Sequence, residues 1–247
     1  MSRHLATINM NIIHQTESTE PCSHCHRKSR TSFCDLPEDI FKKLEPIVYP
    51  FSYSQGTGLF TEGQTPRGIF ILCRGRVKLL SSATNGKALM RIAEVGEILG
   101  LSATIMGTAY ETTAEALEPG QVQFIRRDQF LTFIKTHGEA GLRAMQILSR
   151  EHQTVVEQIR SLVLADSAEQ KLANLLLQWC KESRQMTSEG IQIKMTLTHG
   201  EIAQMIGAAR ETVTRLFTNF KSRKVIRIEG SNLFIPNQVA LENLVNP

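Results

Sequence analysis

The side chains best suited to chemistry in this chain form a basic cluster between residues 210 and 227. Six arginines and lysines lie there with a single acid, Glu211. A guanidinium group can donate two hydrogen bonds to O6 and N7 of guanine, and a carboxylate can accept one from the amino group of cytosine. The sequence therefore predicts that Arg210 and Arg215 contact guanine and that Glu211 contacts cytosine. We expect the partner to be double-stranded DNA.

Four other residues of this region are predicted to contact the DNA backbone. Hydroxyl and ammonium groups donate hydrogen bonds to phosphate oxygens, which position a protein on the duplex without specifying its sequence. These residues are Thr198, Thr212, Lys221 and Lys224. A formal charge of +4 over 247 residues is too small to indicate DNA binding by itself. It becomes informative because the excess is concentrated in this segment.

Two short amphipathic helices must present these side chains. Apolar residues recur at helical spacing in 202–206 and 213–220, and Gly207 separates the two stretches. Glycine adopts the left-handed backbone conformation that a tight turn between helices needs. The pattern predicts a helix-turn-helix whose second helix enters the major groove. Residues 225–235, with a turn at 230–232, predict a hairpin wing beside it.

Cysteines form the second group of residues with chemical potential. Cys22, Cys25 and Cys34 fall within thirteen residues, whereas Cys73 and Cys180 stand alone. An odd number of cysteines in a cytoplasmic chain does not indicate a disulfide framework. The cluster instead predicts a metal or redox site. It lies in residues 1–35, which have no sustained periodicity and which we interpret as an irregular arm.

The cysteine cluster leaves several kinds of chemistry open. Four thiolates, with Cys73 as the fourth, satisfy an iron–sulfur cluster or a tetrahedral zinc ion. His24 and His26 could replace a thiolate and would favour zinc. Direct oxidation of Cys22 and Cys25 is another alternative, because nearby basic residues stabilise thiolates. The last is that no cofactor binds and that Cys73 is a simple core residue.

Residues 51 to 130 have the pattern of a β-sandwich or barrel. Glycines recur between short apolar runs such as 68–72 and 77–80. Asn85-Gly86 separates two of these runs, and both residues tolerate the positive φ of a tight hairpin turn. Many short strands at a spacing of roughly 8–12 residues are typical of sandwiches and barrels.

The period of the apolar residues changes after residue 140. They then advance by three and four positions alternately, and no proline interrupts the chain between Gly120 and Ile235. Such a stripe predicts a helix that pairs with a second copy of itself, the alternative being a helix that packs on its own domain. The predicted dimer seam consists of Met145, Leu148, His152, Val155, Ile159 and Leu162. We expect His152, its one polar member, to be accommodated at the interface rather than to act as a pH switch.

The hexapeptide Arg210-Glu211-Thr212-Val213-Thr214-Arg215 closely resembles the R-E-T-V-x-R recognition helix of the Crp/Fnr family of bacterial transcription regulators. Residues 56–63 and 70–78 resemble the β-roll of that family's effector domain, and the seam helix resembles its dimerisation helix. The resemblance covers roughly residues 36 to 235. It implies an α+β fold with an N-terminal cyclic-nucleotide-binding-like β-roll (a jelly roll), a long dimerisation helix and a C-terminal winged helix-turn-helix.

This resemblance also implies an organisation and partners. We expect the Cys/His-rich arm at 1–35, the β-roll at 36–137, the dimerisation helix at 138–165 and the winged helix-turn-helix at 166–247. The family resemblance implies a homodimer on a palindromic site whose half-sites lie one helical turn apart, about 34–36 Å. It further implies contact with RNA polymerase. The arginine and glutamate pair favours half-sites similar to those of the cyclic-AMP-responsive branch, which are TGTGA-like.

The chain departs from the cyclic-nucleotide branch of the family at two positions. That branch has an acidic residue directly after the glycine that matches Gly100, and an arginine followed by serine or threonine about ten residues later. Leu101 and Tyr110-Glu111-Thr112 occupy these places. A cyclic phosphate requires a guanidinium there, and Glu111 would repel it. We therefore expect no binding of cyclic AMP.

The chain also departs from the oxygen-sensing branch, which holds an iron–sulfur cluster with three N-terminal cysteines and one in the β-roll. Cys22, Cys25 and Cys34 resemble the first three, although the last gap is longer. The fourth should fall near Gln123, where there is no cysteine. The β-roll cysteine is Cys73, on an earlier strand, so the arm would have to reach it.

These observations predict a DNA-binding transcription regulator that responds to a redox, oxygen-type or small-molecule signal. The alternative is a signalling module whose β-roll takes a cyclic nucleotide or another organic ligand. An enzyme is not expected, because the sequence has no G-x-S-x-G, P-loop or G-x-G-x-x-G motif. No run approaches the ~20 apolar residues of a membrane span, and the N-terminus lacks a signal core. We expect a cytoplasmic protein without membrane contact.

Overall fold

The structure is a computed structural model that describes residues 33–83, 86–165, 167–182, 186–187 and 189–245. The chain divides into two compact units, one up to Arg150 and one from Glu151 onward. None of the helices in the described ranges is long and apolar enough to cross a membrane. The two units are described in turn.

Two four-stranded antiparallel sheets form the first unit. Their strand orders are β1-β8-β3-β6 and β2-β7-β4-β5. The strands are β1 Val48–Tyr53, β2 Gly58–Phe60, β3 Gly68–Arg74, β4 Val77–Ala83, β5 Gly86–Ala93, β6 Ile98–Leu99, β7 Thr113–Ala116 and β8 Gly120–Arg126. The helices are α1 Glu38–Leu44, α2 Leu101–Met106, α3 Arg127–Thr136 and the start of α4 Gly138–Leu164. This is the predicted β-roll. The hairpin expected between the two apolar runs is present, because β4 and β5 pair antiparallel with Ala83 opposite Gly86, whereas Asn85 lies outside the described residues.

The alternation of apolar residues along the strands produces two cores. One lies between the sheets and includes Leu72 and Val122 from one sheet and Val77 and Ala114 from the other. The second covers the other face of the β1-β8-β3-β6 sheet, where strand residues pack against α1, α3 and the start of α4. Its members include Phe33, Ile69, Ile71, Ile125, Phe130, Ala144 and Ile147. A side chain at Gly68 would meet the Ile125 carbonyl oxygen at 2.0 Å, so only glycine allows β3 and β8 to approach this closely.

The second unit contains four helices after the end of α4 and a small sheet. After the end of α4 come α5 Ala168–Glu182, α6 His199–Ile206, α7 Arg210–Ser222 and α8 Gln238–Val245. The strands are β9 Met186–Thr187, β10 Gly190–Lys194, β11 Arg227–Glu229 and β12 Asn232–Ile235, in the order β11-β12-β10-β9. The predicted wing is the β11–β12 hairpin, in which Glu229 pairs with Asn232. Together the units confirm the α+β fold with a β-roll, a long helix and a winged helix-turn-helix.

Candidate nucleic-acid interface

The first helix of the helix-turn-helix begins at a complete capping box. The Thr198 hydroxyl oxygen accepts a hydrogen bond from the Glu201 amide at 3.2 Å, and the Glu201 carboxylate accepts one from the Thr198 amide at 2.8 Å. The Thr198 hydroxyl also donates to that carboxylate at 3.0 Å. This reciprocal arrangement satisfies two amides that the first turn leaves without helical partners. Thr198, predicted to contact phosphate, therefore also fixes the start of α6.

The turn between α6 and α7 depends on the backbone of Gly207. This residue has φ 63° and ψ 43°, the left-handed conformation that the sequence predicts. A side chain there would meet nothing within 4 Å, so the requirement for glycine is conformational rather than steric. The turn ends α6 and allows α7 to begin three residues later at Arg210.

The second helix, α7, has one buried and one exposed face. Val213, Phe217 and Phe220 are at most 1% exposed and fix the helix to its support. The predicted base-contacting residues Arg210, Glu211 and Arg215 all lie on its exposed face. Of the predicted backbone-contacting residues, Lys221 and Lys224 are exposed and Thr212 is half-buried. The three residues predicted to contact bases therefore lie on the same helix as Lys221, which is predicted to contact phosphate.

Ion pairs divide the basic cluster into two groups. The Arg223 guanidinium binds the Glu169 carboxylate of α5 at 2.6 Å. Arg227 contacts the carboxylates of Glu189 and Glu229 and lies over the Phe234 ring. Among the ion pairs of the described residues, none involves the remaining four cations, Arg210, Arg215, Lys221 and Lys224. These four supply the uncompensated positive charge.

Lys224 also has an unusual backbone. Its φ of 58° makes it the one non-glycine residue with positive φ in the described part of the chain. The Lys224 amide donates to the Lys221 carbonyl at 3.0 Å, and the Val225 amide donates to the Phe220 carbonyl at 2.9 Å. This pattern ends α7 with a left-handed residue, a position that glycine usually occupies.

His199, which sequence analysis did not single out, joins the two helices. Its ring stacks on Phe217 with centroids 4.8 Å apart and planes at 6°. Its Nδ1 lies 2.9 Å from the Thr214 hydroxyl on α7. Burial lowers the pKa of the imidazole below its ordinary value, and the positive charges of Arg210 and Lys221 lower it further. The sequence signal that could have identified His199 is its position directly after Thr198, the first residue of the capping box.

The predicted cysteine site lies largely outside the described residues. Cys22 and Cys25 fall there. Cys34 packs half-buried against the outer core of the β-roll, and the Cys73 thiol on β3 donates to the Ile71 carbonyl at 3.6 Å. Within the described part of the chain, no three histidine, cysteine or acidic residues come together as a metal site. Gln123, at the position expected for a fourth cysteine, is 3% exposed, and its Oε1 has no partner among the described residues.

Tyr110, in the segment that corresponds to the phosphate-binding segment of the cyclic-nucleotide branch, is buried in the core between the two sheets. Its ring stacks on Phe60 with centroids 4.2 Å apart, and its hydroxyl donates to the Gly68 carbonyl at 2.8 Å. A side chain at Gly100 would lie 2.6 Å from the Tyr110 ring. Glu111 is exposed and accepts a hydrogen bond from Ser102 at 3.2 Å. The segment is therefore held by the protein's own groups.

The predicted dimer seam is exposed along most of α4. Met145 is 61% and Ile159 is 54% exposed, and Val155 and His152 are exposed as well. Leu148 is half-buried against the β-roll core, and the side chain of Leu162 lies outside the described residues. Further large apolar side chains exposed on the same helix are Leu142, Val156 and Val163. Exposed apolar surface of this kind marks an interface.

Comparison with known proteins finds relatives for both units. Residues 170–244 match the model of the Crp-like helix-turn-helix domain, and residues 50–137 match that of the cyclic nucleotide-binding domain. The CRP-like cAMP-activated global transcriptional regulator of Mycobacterium tuberculosis is 27% identical over 205 residues, which cover 82% of this chain and 88% of that protein. The anaerobic regulatory protein of Bacillus subtilis is 27% identical over 209 residues, which cover 83% and 87%. The structure of FixK2 from Bradyrhizobium japonicum shares the fold, with a TM-score of 0.71 at 16% identity over 80% of this chain and 97% of that one.

Proposed function

The chain belongs to the Crp/Fnr family of DNA-binding transcription regulators, and we propose that it binds a palindromic promoter site as a homodimer with α7 in the major groove. Members of the family bind DNA through a helix-turn-helix and typically act as dimers. The observation that supports the proposal best is the display of Arg210, Glu211 and Arg215 on the exposed face of α7. The buried residues Val213, Phe217 and Phe220 fix the helix, so that it presents these charged groups to solvent before DNA arrives.

Each predicted contact has a stated chemistry in this proposal. Arg210 and Arg215 donate two hydrogen bonds each to guanine, and Glu211 accepts one from cytosine. Lys221, Lys224, Thr198 and Thr212 bind phosphates. The hydroxyl of Thr198 can serve a phosphate only if it leaves the Glu201 carboxylate to which it now donates.

The exposed stripe of α4 supports the homodimer. A second copy would cover the exposed side chains of Met145, Val155 and Ile159, and this burial would supply the driving force for pairing. His152 lies in the same stripe. The family resemblance implies that such a dimer binds half-sites about 34–36 Å apart. RNA polymerase is a further partner that we propose from the family resemblance.

A redox or oxygen-type signal is the input that we propose. The cysteine-rich arm supports this, as does the similarity to an anaerobic regulatory protein. The donor set Cys22, Cys25, Cys34 and Cys73 fits an iron–sulfur cluster by its chemistry, because thiolates are the ligands such clusters use. The cluster would supply a change of charge or ligation on oxidation. Zinc and direct thiol oxidation remain alternatives that the same residues could support.

A cyclic nucleotide is not the proposed effector, although one family match is a cyclic nucleotide-binding domain. Tyr110 is buried in the core of the β-roll. The exposed carboxylate of Glu111 is negatively charged and would repel a phosphate. Calorimetry with cyclic AMP is expected to show no heat of binding. Saturable binding would instead favour an effector module for organic ligands. We propose no enzymatic activity and place the protein in the cytoplasm.

Selection of binding sites from a random DNA library tests the DNA-binding proposal. We expect a palindrome with half-sites one helical turn apart and guanines where the arginines bind. A library that returns no palindrome would contradict the proposal.

Purification without oxygen, with a visible spectrum and metal analysis, tests the signal. Broad absorption that bleaches in air is expected, and one zinc per chain without colour would exclude the cluster.

A further inference from the structure

His199 has a hydrogen-bond arrangement that favours one position for its proton. The Thr214 hydroxyl has a single hydrogen, which it donates to the Arg210 carbonyl at 3.0 Å. With that hydrogen on the Arg210 carbonyl, the contact of 2.9 Å between the hydroxyl oxygen and Nδ1 of His199 is satisfied by the tautomer that has its hydrogen on Nδ1, and the proposal adopts this tautomer. A neutral ring with a hydrogen on Nδ1 has only a lone pair on Nε2. It gains a second donor only when it takes up a proton.

The charged groups that lower the pKa of the ring are cations. The charges that act on it are those of Arg210 and Lys221, both on α7. Within the described residues, no charged group of α5, the other helix packed on α6, acts on the ring, and Glu201 of α6 itself is bound to Thr198. Both cations are predicted DNA contacts, Arg210 to a base and Lys221 to a phosphate. DNA would therefore change the electrostatic surroundings of the imidazole directly.

We propose that His199 is a proton-linked DNA contact, which takes up a proton when the duplex binds and donates from Nε2 to a phosphate. The inference rests on the proposed DNA-binding function and adds a further contact residue to it. Three observations support it: the ring lies at the first residue of α6, its Nδ1 is already engaged with the recognition helix, and its neighbours are groups that phosphates would neutralise. Stacking on Phe217 holds the ring in place without a hydrogen bond to Nε2.

The sign of the effect follows from linkage between proton and DNA binding. In the free protein the pKa of His199 lies below its ordinary value of 6.5, so the ring is neutral near pH 7. An adjacent phosphate favours the charged ring and raises the pKa in the complex. Binding therefore takes up protons between the two pKa values, and affinity falls as the pH rises through this window. Each half-site contributes one proton at most, so log Kd rises by at most about 2 per pH unit for a dimer.

Fluorescence anisotropy between pH 5.5 and 8.5 at constant salt tests the inference with the full-length protein. The probes are a duplex with the selected palindrome and a random-sequence duplex of equal length. We expect Kd of the wild type to rise roughly 10- to 100-fold across the window on both duplexes, because the contact is to phosphate. His199→Gln should have a shallower slope on both. His199→Arg, which keeps a cation at every pH, should bind tightly at pH 8.5 with little pH dependence.

His137→Gln is the matched control, because His137 is also held against a phenylalanine ring, Phe133, but lies in the β-roll unit. It should retain the wild-type slope. Calorimetry in buffers of different ionisation enthalpy should show proton uptake that His199→Gln loses. If His199→Gln weakens binding equally at every pH, the residue only positions α7 and the inference is wrong. If neither protein prefers the palindrome at any pH, the proposed function itself fails.

Discussion

The inside of the β-roll and the exposed face of α7 differ in whether their polar and charged groups have partners within the chain. In the β-roll, Thr104 and Tyr110 both donate to the Gly68 carbonyl, and Thr113 accepts from the Glu62 amide. On α7, the described residues offer Arg210 and Arg215 no ion-pair partner. These polar groups of the first region are satisfied by their own chain. The second displays charges that only another molecule can satisfy.

This difference shows where a partner is needed. A buried polar group without a partner costs free energy, so a filled and satisfied interior gives a ligand little to gain. An exposed guanidinium costs little in water and gains most from a rigid acceptor such as a base or phosphate. The named polar groups inside the β-roll are therefore already paired within the chain, whereas the exposed cations of α7 are left for a partner to bind.

Removing Tyr110 should have the largest effect. Tyr110→Ala deletes a ring that is 3% exposed and stacked on Phe60, which should lower the free energy of unfolding by about 3–5 kcal/mol. Urea denaturation measures this loss. Tyr49→Ala, at a residue that is 40% exposed, is the control and should cost about 1 kcal/mol or less. Equal losses in the two variants would show that the β-roll interior is not closed around Tyr110.

Arg210 has no ion-pair partner among the described residues, whereas Arg223 has one, so substitutions of the two should have different effects on DNA binding. Arg210→Ala should reduce discrimination at one base pair of each half-site by about 1–3 kcal/mol. Arg223→Ala should change it little, because the Arg223 guanidinium already binds Glu169. Competition binding with single-base variants of the selected site measures both. A larger loss of discrimination in Arg223→Ala would refute the division of the cations.

Lys221 should contribute affinity without specificity. Lys221→Ala is expected to weaken binding to all sequences by a similar factor and to reduce the salt slope by about 1 per half-site. Titrations at several salt concentrations, on the selected and on a random duplex, measure the slope. A loss confined to the selected duplex would indicate that Lys221 contacts a base instead.

Lys224 should show the smallest effect, and with opposite signs on stability and binding. Lys224→Gly relieves a left-handed backbone, which should raise the free energy of unfolding by of order 1 kcal/mol. The same change removes a cation and should weaken DNA binding slightly. Thermal unfolding and anisotropy separate the two. Lys221→Gly, in the last turn of α7, should instead destabilise.

The sequence predicted those features that depend on local chemistry. Gly207 needs a left-handed backbone whatever surrounds it, and Asn85-Gly86 favours a hairpin by itself. The division of the cations could not be predicted, because Arg223 finds its partner Glu169 54 residues away in the chain. The same holds for Tyr110, whose partner Gly68 is 42 residues away. Long-range contacts depend on the folded structure, and the spacing of residue types does not encode them.

The most direct test of the central claim is a double-mutant cycle between Arg210 and a guanine of the selected site. Replacing that guanine by 7-deazaguanine removes the N7 acceptor and leaves O6 in place. For each guanine, the affinity of the wild type and of Arg210→Ala is measured on both duplexes. If Arg210 binds that base, the wild type loses roughly tenfold per half-site and Arg210→Ala loses almost nothing. Equal losses in both proteins at every guanine would contradict the claim that Arg210 contacts a base.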